Sequence, residues 1–208
     1  MQVTVFGASG RVGRQVVERL VKNNYQVVAF IHHNNPFSDY PDVQIVSGSI
    51  ADQAAVSKAI ANSQAVISTL GSWGSPTKDI VSVGVQNITQ AMGQQGISRL
   101  ITLSGANAFY GLDRPTVIDK LTHTFLGIIA GKILRDGEKH LVILEATNLD
   151  WTCIRSPVMT KSTKSAYRLT NKIPSLLASI PQAAAARAVV DQLQDKTHYH
   201  QAPVIYRA

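Results

Sequence analysis

A doubly wound α/β domain on a mostly parallel sheet is what the sequence predicts, and three observations predict it. Short runs of β-branched and apolar residues alternate with amphipathic stretches along the chain. That is the pattern of buried parallel strands covered on both faces by crossover helices. A glycine-rich turn follows the first of these runs directly. The 208 residues, 45% hydrophobic and 16% charged, suit one domain, 1–208, with one sizeable core.

Residues 2–6 (QVTVF) form the first strand and 11–22 the first helix, with Val12, Val16, Val17 and Leu20 on one face. Strands follow at 26–31 and 43–46, separated by the polar loop HHNNPFSDYPD. Asp52 is placed to cap a helix over 53–62. Strand 65–70 leads to helix 79–94, which Gly96 can terminate. Strand 98–103 precedes an irregular stretch, SGANAFYGLDRP. Residues 116–147 read as two helical pieces broken near 131–137, and 150–154 as the sixth strand. The remainder, 158–208, holds an extended piece near 166–170, a helix over 182–194 and a final strand PVIY. It is expected to form a small cap over one end of the ligand site. The first reversal of strand order should put a ligand crevice beyond the carboxyl ends of strands one and four.

Composition narrows the function classes. No run of 18 apolar residues exists, so no membrane span and no membrane partner are expected. The opening MQVTVFGASG reads as a strand entering a turn rather than as a signal peptide. The single cysteine, Cys153, allows no internal disulfide, and a cytoplasmic setting is expected. The net charge is +7, but the basic residues are scattered and aromatics do not interleave with them. An anionic small ligand is favoured over nucleic acid. The densest basic cluster is Lys161, Lys164, Arg168 and Lys172.

The turn reads Gly7, Ala8, Ser9, Gly10, Arg11, Val12, Gly13. Following a buried strand and opening an amphipathic helix, it has the context of a dinucleotide-binding loop rather than of an ordinary tight turn. Gly7 permits the turn, Gly10 lets the backbone approach a pyrophosphate, and Gly13 lets the helix pack on the sheet. The helix N-terminus offers free N–H groups to the phosphates, and Ser9 and Arg11 can add contacts. At the end of the second strand stand His32, His33 and Asn34, where NAD-selective sites carry Asp or Glu. NADP is therefore favoured, with NAD possible; two adjacent histidines also suit a plain polar loop. Ser49 and Ile50 can line the adenine, and Leu70 and Gly71 can pass close to the dinucleotide; ordinary loop chemistry explains each equally well.

These segments carry a resemblance. VTVFGASGRVGRQVVERL, VISTLGS, RLITLSG and NLDWTCIRSP resemble the atypical short-chain dehydrogenase/reductases of the NAD(P)-binding, NmrA-like and flavin-reductase-like (biliverdin reductase B-like) group, with a Rossmann-like fold. The resemblance covers essentially the whole chain. It implies a dinucleotide at Gly7, Ser9, Gly10, Arg11, Val12 and Gly13. It also implies a cofactor-side loop at Leu70 and Gly71, Ser104 near the nicotinamide, and Arg155, Ser156 and Pro157 closing over that end. His32 stands where the group often has an NADP-selecting Arg.

Classical members of such folds use a Tyr and a Lys four positions later. None of the six tyrosines here has Lys at that spacing; Tyr110 has Arg114, which does not exchange a proton at neutral pH. A flavin, quinone or similar planar acceptor can take hydride without that relay. Ser104 and Tyr110 are then the candidates beside the reacting atoms, Ser104 to orient and Tyr110 with Phe109 as an aromatic wall. Packing explains Phe109, Tyr110 and Trp73 as well. The competing class is a non-catalytic NAD(P)-binding sensor of NmrA type that regulates a partner; an isomerase or dehydratase has no acid–base pair in its favour. No metal site is expected: His198 and His200, although alternating, lack a third ligand. Cys153 reads as core, and a monomer or homodimer is expected.

Overall fold

The structure, a computed structural model, describes residues 1–73 and 75–208. Along the chain run β1 (Gln2–Phe6), α1 (Arg11–Lys22), β2 (Gln26–Ile31), β3 (Val43–Ser47) and α2 (Gln53–Ile60). Then come β4 (Ala65–Ser68), α3 (Ile80–Gln95), β5 (Arg99–Gly105), α4 (Val117–Glu145) and β6 (Asp150–Ser156). The last third holds β7 (Val158–Thr160), β8 (Tyr167–Thr170), β9 (Ser179–Pro181), α5 (Gln182–Asp191) and β10 (Val204–Arg207). The main sheet has the order β3-β2-β1-β4-β5-β6-β10-β8, parallel except for β8 at its edge. This is the expected doubly wound, Rossmann-like sheet with a smaller C-terminal element.

Two cores, one on each face, account for the topology. On one, Val12, Val16, Val17 and Leu20 of α1 meet the alanine-rich face of α5 over Val3, Val5, Ile101 and Ile154. On the other, α2, α3 and α4 cover Phe6, Val66, Leu100, Trp151 and Cys153. Alternation along each central strand supplies one set to each face. Asp52 caps α2 by accepting from the Ala54 and Ala55 N–H groups, and Gly96 ends α3 at φ +68°.

Several boundaries differ from expectation. β5 and β6 each run two residues farther, because Leu103–Gly105 and Ile154–Ser156 pair with one another. The break in α4 falls at Ala130 (φ −137°, ψ 27°), just before the expected window. His123 and Glu138 meet at 2.6 Å across it. A straight helix would hold residues fifteen apart about 22 Å away, so the two limbs fold back on each other. β7 and β9 form an unexpected two-stranded parallel sheet, each only three residues long and next to Pro157 or containing Pro181. His198 and His200 sit in a turn, not a strand, with His200 at φ +56°. No helix among the described residues is long and apolar enough to cross a membrane.

Candidate active site

The chain leaves β1 for α1 and β2 on one side and returns through β3 and α2 to β4 on the other. The strand order therefore reverses between β1 and β4, the place where doubly wound sheets bind ligands beyond the carboxyl ends of their strands. The glycine turn lies there. Gly7 takes φ +71°, and a Cβ on it would stand 2.9 Å from the Leu70 nitrogen. A Cβ at Gly13 would fall 2.1 Å from the Gly7 carbonyl oxygen, and one at Gly10 3.1 Å from it. The turn is closed by the Gly10 N–H donating to the Gly7 carbonyl at 2.9 Å. Arg14 braces it from outside, its Nε donating to the Ser9 carbonyl at 2.9 Å.

The N-terminus of α1 fits an anionic group. No side chain caps it, and no acidic residue stands in its first turn. The N–H groups of that turn have no intrahelical partner, so they and the dipole are available to phosphate oxygens. Ser9 is half-buried; Arg11 is exposed, and Val12 and Gly13 are buried beneath the turn. A dinucleotide pyrophosphate would be held there by backbone, with Arg11 beside it.

Thr69 ties the two strands of the switch together, a role the sequence reading missed. Its hydroxyl reaches the carbonyls of Phe6 (3.0 Å) and Gly7 (3.1 Å), and its N–H donates to Phe6 at 2.9 Å. A hydroxyl residue just past a buried strand, facing a glycine turn, was the available signal. Leu70 and Ile50 converge above Gly84 of α3, where a Cβ would come within 2.4 Å of Leu70 Cδ1 and 3.0 Å of Ile50 Cγ1. Asn87 donates to the Ile50 carbonyl at 2.8 Å. The loops after β3 and β4 are thus docked on α3, with Ser49 and Gly71 exposed at their tips. His32 is exposed at the end of β2, its ring 3.8 Å from that of His33.

At the carboxyl end of β5, Ser104 turns its hydroxyl toward α4, where a Cβ on Gly137 would approach Oγ to 3.1 Å. That hydroxyl is buried and has no partner in the protein among the described residues. One residue before Gly137, Asp136 acts as a remote cap for α3: its carboxylate accepts from the Ser72 hydroxyl and from the N–H groups of Val81 (3.2 Å) and Ser82 (2.9 Å). His140, one turn later and fully buried, is pushed down to about 4 by desolvation, against the pull of Asp136. Ser156 and Pro157 end β6 beside this region, the Ser156 carbonyl accepting from the Ala106 N–H at 2.9 Å.

Two expected site residues lie elsewhere. The Arg155 side chain is buried beneath the loop after β5 and donates to Asp113 at 2.5 and 2.7 Å, to the Ala108 carbonyl at 3.0 Å and to the Ala202 carbonyl at 2.7 Å. Its fork is spent on protein acceptors, so it holds that loop rather than a cofactor. Tyr110 points toward the amino-terminal half of β6: its ring meets Trp151 edge-on, and its hydroxyl donates to the His200 carbonyl at 2.9 Å. Burial first, and Glu145 second, push its pKa up. It is placed away from the crevice and suited to packing, not proton transfer. Phe109 stacks on His123 at 4.2 Å. Cys153 is buried in the core, its thiol pushed up to about 11 by desolvation. No cluster of three or more metal-ligating side chains occurs among the described residues.

Fold and turn together define a dinucleotide-binding α/β protein. The chain belongs to the NAD(P)H-binding family, whose model matches residues 7–196. Among solved structures it is similar to an oxidoreductase of Lactococcus lactis (TM-score 0.83, 18% identity, covering 100% of this chain and 91% of that one). It is also similar to a short-chain dehydrogenase/reductase of Veillonella parvula in complex with NADP (TM-score 0.77, 18% identity, 99% and 94% covered). A third is the anaerobilin reductase ChuY of Escherichia coli (TM-score 0.81, 18% identity, 100% and 97% covered). At such identity the likeness is one of fold. An uncharacterised Mycobacterium tuberculosis protein is 28% identical over 108 residues, 51% of this chain but 12% of that longer protein.

Proposed function

We propose that this chain is an NAD(P)H-dependent oxidoreductase of the flavin-reductase-like group, delivering hydride to a flavin, a quinone or a similar planar acceptor. The observation that carries the reading is the glycine turn at the β1–β4 switch point in a chain without a Tyr–Lys relay. When bound, the reduced nicotinamide would supply two electrons with one hydrogen, and the acceptor would draw its second proton from water, giving NAD(P)⁺ and the reduced acceptor. The protein's part is placement. The α1 N-terminus and Arg11 hold the pyrophosphate, and His32 meets the adenosine ribose without a carboxylate to repel a 2′-phosphate. Leu70, Ile50 and Ser49 shape the floor on the adenosine side. Ser104, whose hydroxyl has no partner among the described residues, orients the nicotinamide end, with Ser156 and Pro157 beside it.

Two proteins of similar fold support the reading: one is in complex with NADP and another is an anaerobilin reductase. Incubation with NADPH and a panel of flavins and quinones, without oxygen, tests it. Protein-dependent NADPH consumption matched by acceptor reduction is expected; tight cofactor binding with no turnover on any acceptor contradicts it and favours a regulatory sensor.

A further inference from the structure

The first limb of α4 carries its apolar side outward. Val117, Ile118, Leu121, Phe125, Ile128 and Ile129 are all exposed, Ile128 to 79%. Their three- and four-residue spacing gathers them into an arc of about 120° on that limb. The limb's other side is held inward: His123 stacks on Phe109 and bonds Glu138. An amphipathic helix of a globular protein turns its apolar arc to the core; this one presents it to the surroundings.

The charge around this ridge is one-sided. Where the limb reverses, Ile128 and Ile129 share an open depression with Lys78, Lys132 and Arg135. An adjoining cleft of about 460 Å³ adds Lys139. Among the described residues none of these four cations is in a salt bridge. Of the carboxylates nearby, Asp136 is buried as the cap of α3, Glu138 faces His123, and Asp119 serves the capping box with Thr116. Among the described residues lining the cleft, Asp79 is the one exposed carboxylate. The chain as a whole carries +7.

We infer that this ridge is a membrane-docking surface, with the limb 117–129 lying in the interface of an anionic bilayer and the cations of its rim on lipid phosphates. An apolar arc flanked by unpaired Lys and Arg is what such an interface selects. A second copy docked through the same face would bring a further four cations against one exposed carboxylate, Asp79. The sequence reading expected no membrane partner because it found no spanning segment; a helix lying in the surface needs none. The ridge's reversal end stands near the sheet's carboxyl end: Ile128 and Ile129 share a depression with Lys78 ahead of α3, and the next limb caps α3 with Asp136 and abuts Ser104 with Gly137. Docking would therefore put the mouth of the crevice beside the lipid. The inference does not depend on the acceptor proposed above, since vesicle binding is read without cofactor.

The test is co-sedimentation with vesicles of equal parts phosphatidylglycerol and phosphatidylcholine, against vesicles of phosphatidylcholine alone. Binding to the anionic vesicles only, weakening with added salt, is expected. Lys132→Gln and Lys139→Gln should each weaken it about fivefold. Phe125→Asn with Ile128→Asn should weaken it at least about tenfold, with far-ultraviolet circular dichroism unchanged because both side chains are exposed. No binding, equal binding to neutral vesicles, or indifference to these substitutions overturns the inference. So does a dimer in sedimentation equilibrium that Ile128→Asn dissociates, because a second copy would then cover the ridge.

Discussion

Arg155 and Asp113 form a buried two-point ion pair, at 2.5 and 2.7 Å, between the end of β6 and the loop that follows β5. Both side chains are almost wholly withdrawn from solvent. Removing one partner leaves an uncompensated buried charge. Asp113→Ala should therefore cost about 3–5 kcal/mol of folding stability, read as a lower urea midpoint. The cofactor dissociation constant of the folded protein should stay within about twofold of the parent. A large loss of cofactor affinity at unchanged stability would return Arg155 to the binding site.

His140 makes stability depend on acidity. Burial holds its pKa at about 4, below its usual value near 6.5. The unfolded chain thus binds the proton more readily than the folded one, and stability rises with pH between those values. It should be complete above about pH 6.5 and lost as pH falls toward 4, by about 3 kcal/mol in all. Urea unfolding across that range should show the slope, and His140→Phe should flatten it. An unchanged slope in that variant would locate the titrating group elsewhere.

The sheet was legible because strand and helix periodicities are local properties: β1, α1, β2 and the Asp52 cap stand where the residues place them. The glycine turn was legible for the same reason. What could not be read are relationships between distant segments. Arg155 was expected in the site because the family resemblance implied it there; only the tertiary fold brings Asp113 under it. Tyr110 was a candidate by residue type, and the fold ties its hydroxyl to His200, ninety positions away. Asp136 capping α3 from another helix has no signature in local spacing. The outward ridge of α4 depends on which side of that helix the fold turns inward, which local spacing does not say.

His32 is the position on which cofactor preference is proposed to turn. With no carboxylate at the end of β2, a 2′-phosphate meets no like charge there. His32→Asp should lower NADPH affinity relative to NADH by about tenfold or more, measured by parallel calorimetric titrations. An unchanged ratio would remove His32 from the adenosine end.

Ser104 has a buried hydroxyl without a protein partner among the described residues, so Ser104→Ala should cost the fold little. If the hydroxyl orients the nicotinamide, kcat should fall about tenfold while the urea midpoint holds. Equal kcat in the variant would leave Ser104 as packing against Gly137.

The central claim is that the Gly7–Gly13 turn holds the dinucleotide, and Gly13 tests it most directly. A Cβ there would lie 2.1 Å from the Gly7 carbonyl oxygen, so even alanine must push the turn away from its pyrophosphate-binding shape. Calorimetric titration of NADPH into the parent and into Gly13→Ala, with folding of each checked by circular dichroism, is the measurement. Binding by the folded parent, weakened at least about tenfold in the folded variant, is the predicted result. A folded variant that binds NADPH as tightly as the parent would contradict the account.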